Sequence, residues 1–218
     1  MLYIVATPIG NLGDMTFRAV ETLKMVDLVA CEDTRVTKKL LNHYGVETPT
    51  ISYFQHSKLA KISQIMEVLK SGKNVALVTD AGTPGVSDPG NKLVEQALVE
   101  QIRVVPIPGA AGLTALISVA GIDMQKFVFL GFPPHKKGRE TFFKEVMASV
   151  EKDLPVMFYE SPHRILKALK SLGSLKIIVG RELTKMFEEV VRGTAEEALQ
   201  YFESHPEKTK GEFVIIVY

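Results

Sequence analysis

Apolar β-branched runs recur along the first half of the chain at 2–7, 28–31, 50–53, 75–79 and 104–107. Each is short and continuous enough for a buried strand. Between them the apolar positions change to helical spacing. One such stretch is 16–25, with Asp14 as the expected cap. A second is 34–44, with Val36, Leu40, Leu41 and Tyr44 on one stripe, and a third is 58–69, with Ile62, Ile65, Met66 and Leu69. Strand and helix in alternation predict an α/β fold whose N-terminal sheet is mostly parallel and covered on both faces.

A second series of strands follows at 127–131, 156–159, 176–179, 189–193 and 212–218, with helices at 139–150, 162–172 and 194–204. The last strands are spaced closely enough for antiparallel pairing, which predicts a mixed C-terminal sheet. The junction is placed at 121–125, after an apolar helix at 113–120. The expected domains are therefore 1–120 and 121–218.

At 218 residues and 46% hydrophobic content the chain can bury two such cores. A net charge of +1 gives no whole-molecule attraction to nucleic acid, so RNA binding would need a local basic patch. The lone Cys31 cannot close an internal disulfide. The opening LYIVAT is too short for a signal-peptide core, and no apolar run reaches the length of a spanning helix. A cytoplasmic location with no membrane partner is expected.

The segment TDAGTPGVSDPG at 79–90 follows an apolar strand and precedes a helix at 91–100. A loop at the carboxyl end of a parallel strand is where open α/β sheets bind ligands, and glycine lets the backbone approach them. A long capped surface turn is the plain alternative. IPGAAG at 107–112 stands in the same position after the next strand, as a second cleft wall or a tight packing turn. Neither loop carries GxxxxGK[ST] or GxGxxG, which argues against phosphoryl and hydride transfer. With no CxxC and no His pair at ligand spacing, no metal is expected.

Three polar clusters also follow buried-strand candidates: CEDTR at 31–35, FYESPHR at 158–164 and GRELTKMFEE at 180–189. Helix caps and surface ion pairs would explain any one of them alone. The run HKKGR at 135–139 is a solvated loop or part of a groove with Lys58, Lys61, Arg164 and Arg181.

These motifs, together with ATPIGNLGD at 6–14, PGAAGLTAL at 108–116, GFPPHKKGR at 131–139 and KGEFVIIV at 210–217, make the chain resemble a known family along its whole length. That family is the ribosomal RNA small-subunit methyltransferase I group of the tetrapyrrole-methylase-like fold. The resemblance implies S-adenosyl-L-methionine bound in a cleft between two α/β domains, a homodimer and no metal. By position it assigns cofactor contacts to Pro8, Asp80, Gly82, Thr83, Val86, Ser87, Pro108, Gly109, Ala110 and Ala111. In the second domain it assigns them to Tyr159, Glu160 and the backbone of Gly211, Glu212 and Phe213.

The implied reaction is methylation of a cytidine ribose 2′-hydroxyl in small-subunit rRNA, free or in the assembled subunit. It needs the hydroxyl held in line and its proton removed. Glu32, Asp33, His56, Glu160 and His163 are the base candidates. Arg35, Lys136, Lys137, Arg139, Arg164 and Arg181 are the candidates for RNA contact, and Tyr53, Phe54 and Phe132 are aromatic surfaces for stacking or for core packing. The family commonly has a HEHN-like segment where this chain has FQHS at 54–57, which weakens an acid–base role there. A corrinoid or porphyrin-precursor methylase sharing the fold, and a ligand-sensing module without turnover, are the competing readings.

Overall fold

The computed structural model describes residues 1–53, 59–88 and 90–218. The chain divides into two compact units, Met1–Ala111 and Gly112–Tyr218. The junction therefore falls before the helix at 112–118, not after it as the apolar pattern suggested. Leu116 of that helix packs against the site of Gly180, where a Cβ would meet its Cδ1 at 2.9 Å.

The first unit holds strands β1 (Leu2–Val5), β2 (Leu28–Cys31), β3 (Thr50–Ser52), β4 (Val75–Val78) and β5 (Val104–Ile107). They form one parallel sheet in the order β3-β2-β4-β1-β5. Its helices are α1 (Phe17–Met25), α2 (Thr34–His43), α3 (Leu59–Lys70) and α4 (Asn91–Val99). β4 reads VALV and is buried at every position, as a central strand covered on both faces must be.

One face packs Ala19, Leu23 and Leu41 of α1 and α2 on Tyr3, Val5, Ala76 and Val78. The other packs Ile62, Ile65, Met66, Leu69, Leu93 and Ala97 of α3 and α4 on Leu2, Val75 and Leu77. The stripe expected on α3 is the one that is buried. On α2 the buried pair is Thr37 and Leu41, while Val36 is exposed. The cap of α1 is Thr16, whose hydroxyl accepts from the Ala19 amide at 3.1 Å, and not Asp14.

The second unit begins with α5 (Gly112–Ser118) and contains β6 (Val128–Phe129), β7 (Val156–Glu160), β8 (Lys176–Arg181), β9 (Glu189–Thr194) and β10 (Phe213–Val217). Its helices after α5 are α6 (Arg139–Val150), α7 (Ile165–Leu172) and α8 (Ala195–Ser204). The sheet order is β6-β7-β10-β8-β9, with β6 parallel to β7 and the other pairs antiparallel, which is the mixed sheet expected. β10, FVIIV, is central and wholly buried. A capping box fixes the start of α8: the Thr194 hydroxyl accepts from the Glu197 amide, and the Glu197 carboxylate accepts from the Thr194 amide.

Candidate active site

The order β3-β2-β4-β1-β5 places neighbours β1 and β4 at a point where the chain leaves in opposite directions. α1 carries it from β1 to β2 over one face, and α4 carries it from β4 to β5 over the other. Such a switch point opens a crevice beyond the carboxyl ends of the strands. The loops after β1, β4 and β5 meet there. Thr7 and Gly82 exchange both backbone hydrogen bonds, at 2.9 and 3.1 Å. The Thr7 hydroxyl donates to the Thr79 carbonyl at 3.2 Å, and the Thr83 hydroxyl donates to the Ala110 carbonyl at 3.2 Å.

The local sequence explains this geometry. Gly82 has φ +81°, which a side chain would strain. At Gly109 a Cβ would stand 2.9 Å from that of Ala6, so only glycine lets the two loops touch. Pro8, Asp80, Gly82, Thr83, Val86, Ser87 and Pro108–Ala111 thus belong to one group of loops at three strand ends, of which Pro8 and Gly82 are buried. The sequence did not single out Thr7 or Thr79. The Thr79 hydroxyl is buried without a hydrogen-bond partner.

Three carboxylates rim the neighbouring ends of β2 and β4. The Asp33 amide donates to Asp80 Oδ1 at 3.1 Å, and the Asp80 amide donates to the Glu32 carboxylate. Burial, then the facing Asp80 charge, pushes the Glu32 carboxyl above its ordinary range. Asp80 is raised for the same first reason, with Asp33 adding to it. Asp33 differs. Hydrogen bonds from the Arg35 side chain and amide hold it down at about 2, with Nη2–Oδ2 at 2.6 Å, and its carboxylate caps α2. It is the weakest base of the three. The Arg35 side chain is 87% exposed.

The second unit places its candidates otherwise. Glu160 is buried between two arginines, Arg139 Nη2 at 2.8 Å and Arg164 Nη2 at 2.9 Å, and also accepts from the Ser161 amide at 2.8 Å. With every oxygen committed it does not serve as the base. Arg139 and Arg164 in turn are committed to Glu160 and to the carbonyls of Pro134 and Pro133. Arg181 is buried and donates to the carbonyls of Lys210 and Phe187 at 2.9 and 3.0 Å. All three guanidiniums are engaged within their own unit.

Phe213 lies in the core. Gly211, at φ +104°, makes room for Glu182, whose Cγ would be 2.5 Å from a Cβ. The Glu212 amide donates to Glu182 at 2.9 Å. Tyr159 is half-buried against Phe129 and Phe132, with ring centroids at 5.2 and 5.3 Å. His135, Lys136, Lys137 and His163 are exposed. His56, like Phe54 and Lys58, lies outside the described residues, while Tyr53 is core. Among the described residues, no group of three His, Cys, Asp or Glu could hold a metal.

The family model for Tetrapyrrole (Corrin/Porphyrin) Methylases matches residues 1–199. The chain belongs to the tetrapyrrole methylase family. Among this member's curated relatives are proteins named Ribosomal RNA small subunit methyltransferase I. The one from Bacillus subtilis is 48% identical, over 100% of this chain and 74% of the relative. The one from Synechocystis is 46% identical, over 100% and 78%. Solved structures share the fold at low identity. A cobalt precorrin-4 methyltransferase of cobalamin biosynthesis has a TM-score of 0.73 at 17% identity, covering 99% of this chain and 93% of its own. A diphthine synthase has a TM-score of 0.78 at 16%, covering 99% and 88%.

Proposed function

We propose that this tetrapyrrole methylase-family protein is a cytoplasmic, homodimeric enzyme that methylates a cytidine ribose 2′-hydroxyl of small-subunit rRNA, using S-adenosyl-L-methionine. The observation that carries the substrate is the full-length similarity, at 46–48% identity, to relatives named for small-subunit rRNA methylation. The fold-sharing corrinoid methylase stands at only 17%.

The residues of the β1/β4 crevice suit the cofactor. Small side chains at Gly82 and Pro108–Ala111 keep the loops at the strand ends slim, and the buried Thr79 hydroxyl has a hydrogen bond to give. Pro8, Gly82, Thr83, Val86, Ser87 and Pro108–Ala111 would hold it. When bound, it supplies an electrophilic methyl group on a sulfonium, and the nearby carboxylates favour that cation.

The remaining work falls to the chain. A ribose hydroxyl is a poor nucleophile until a base takes its proton. Of the base candidates, Glu32 has a raised affinity for a proton, a partly exposed carboxylate and a place at the rim of the crevice. Glu32 accepts the 2′-hydroxyl proton, and Asp80 sustains its basicity through charge while orienting it through the amide bond.

The test is methyl transfer from radiolabelled cofactor to undermethylated small subunits and to free rRNA. Label in a cytidine ribose supports the reading. Cofactor binding without label in either RNA sinks it.

A further inference from the structure

The segment between Gly131 and α6 is a surface loop whose backbone is held from within its own unit. The Gly131 carbonyl accepts from the Tyr159 amide at 2.9 Å, and the Lys136 carbonyl from the Arg139 amide at 3.3 Å. The carbonyls of Pro133 and Pro134 accept from Arg164 at 2.9 Å and Arg139 at 3.5 Å. Both arginines are anchored on Glu160, whose side chain is fully buried. Pro133 and Pro134 fix their own φ, so the loop has little freedom left to lose.

What this frame presents outward is one aromatic ring and three basic groups. Phe132 is 52% exposed and leans on Tyr159 at a 43° interplanar angle, and Phe129 meets the same ring edge-on. His135, Lys136 and Lys137 are exposed, and no acid interrupts the loop before Glu140. An exposed aromatic beside uncompensated lysines on a rigid backbone fits a splayed single-stranded nucleic acid. The ring stacks a base and the lysines take the phosphates on either side. A protein partner would more often face an uncharged apolar patch.

We infer that the 131–138 loop is a preorganised platform for single-stranded RNA, in which Phe132 stacks one base and Lys136 and Lys137 contact the backbone. Arg139, Glu160 and Arg164 are its positioning residues. This rests on the rRNA methyltransferase reading and names a surface of the second unit that would bind single-stranded RNA.

The test uses the full chain and fluorescence anisotropy of a labelled single-stranded RNA of about 12 nucleotides, titrated at several salt concentrations. Phe132→Ala is expected to weaken binding roughly tenfold at every salt concentration, through lost stacking. The double variant Lys136→Ala/Lys137→Ala is expected to flatten the slope of log affinity against log salt by about 1.4, two single-strand phosphates' worth. Arg164→Lys keeps the charge but loses the forked grip on Glu160 and Pro133. It is expected to raise KM for RNA with kcat nearly unchanged and the salt slope retained, a split that general loosening of the fold would not give. Lys167→Ala/Lys170→Ala, on exposed positions of α7, serves as the control.

Loop variants that bind RNA as the unaltered chain does, or a control that loses as much as they do, would overturn the platform. So would blunt duplex RNA bound as tightly as the single strand. An unaltered chain that methylates rRNA alongside loop variants with unchanged KM defeats this inference alone. An unaltered chain that methylates no RNA defeats the reading beneath it.

Discussion

At the residue scale, neighbouring carboxylates in CEDTR are driven apart by their surroundings. Asp33 spends its charge on Arg35 and the first turn of α2, while Glu32 is half-buried facing Asp80. The sequence brought both to attention as equals, because the polar cluster is visible but the partner of each acid is not. A base must be unprotonated to work, so the rate falls as pH drops through the Glu32 pKa. With that pKa raised, the acid limb of the kcat profile is expected above the usual carboxylate range. Asp80→Asn keeps an Oδ1 acceptor for the Asp33 amide but removes a charge that raises Glu32, so the limb should move to lower pH. A limb that stays in place contradicts the pairing.

Glu32→Gln should abolish methyl transfer with cofactor binding intact. It should also melt at or above the temperature of the unaltered chain at alkaline pH, because a carboxyl with a raised pKa weakens the fold once it ionises. In acid, where Glu32 is protonated, the two should melt alike. Scanning calorimetry at both pH values checks the sign.

At the scale of elements, period and apolar runs made most strands and helices legible. Ile62, Ile65, Met66 and Leu69 are buried as their spacing requires, and the wholly apolar β4 and β10 are central. Val36 was misplaced because a polar Thr37 occupies the buried stripe of α2, where hydrophobicity alone does not reveal it. The Arg139–Glu160–Arg164 cluster was hidden for another reason. Glu160 and Arg164 stand at i,i+4, but Arg139 reaches them only through the fold.

Removing Glu160 strands the buried Arg139 and the partly buried Arg164, so Glu160→Ala should cost about 3–5 kcal/mol in denaturant unfolding. A loss below about 1 kcal/mol would mean water already screens the cluster. Gly211→Ala forces a Cβ against Glu182 at a left-handed φ and should cost about 1–3 kcal/mol by the same measurement. Thr194→Ala, which opens the capping box of α8, should cost about 1 kcal/mol.

At the scale of the molecule, two α/β units were readable from the alternation of periods, but their junction was not. α5 is apolar enough to end either unit, and its packing at Gly180 assigns it to the second. The candidate site was legible where glycine and proline mark strand ends, at Gly82 and Gly109, because those positions answer to backbone geometry. It was illegible at Thr79 and at the loop carbonyls of Pro133 and Pro134, whose importance comes only from what faces them.

The most direct measurement is transfer of label from radiolabelled S-adenosyl-L-methionine to undermethylated small ribosomal subunits, with Gly82→Arg alongside to fill the crevice between the β1 and β4 loops. Label in a cytidine ribose of the small-subunit rRNA, lost in Gly82→Arg, is the expected result. Label that reaches no RNA while the chain binds the cofactor, or that persists undiminished in Gly82→Arg, would contradict it.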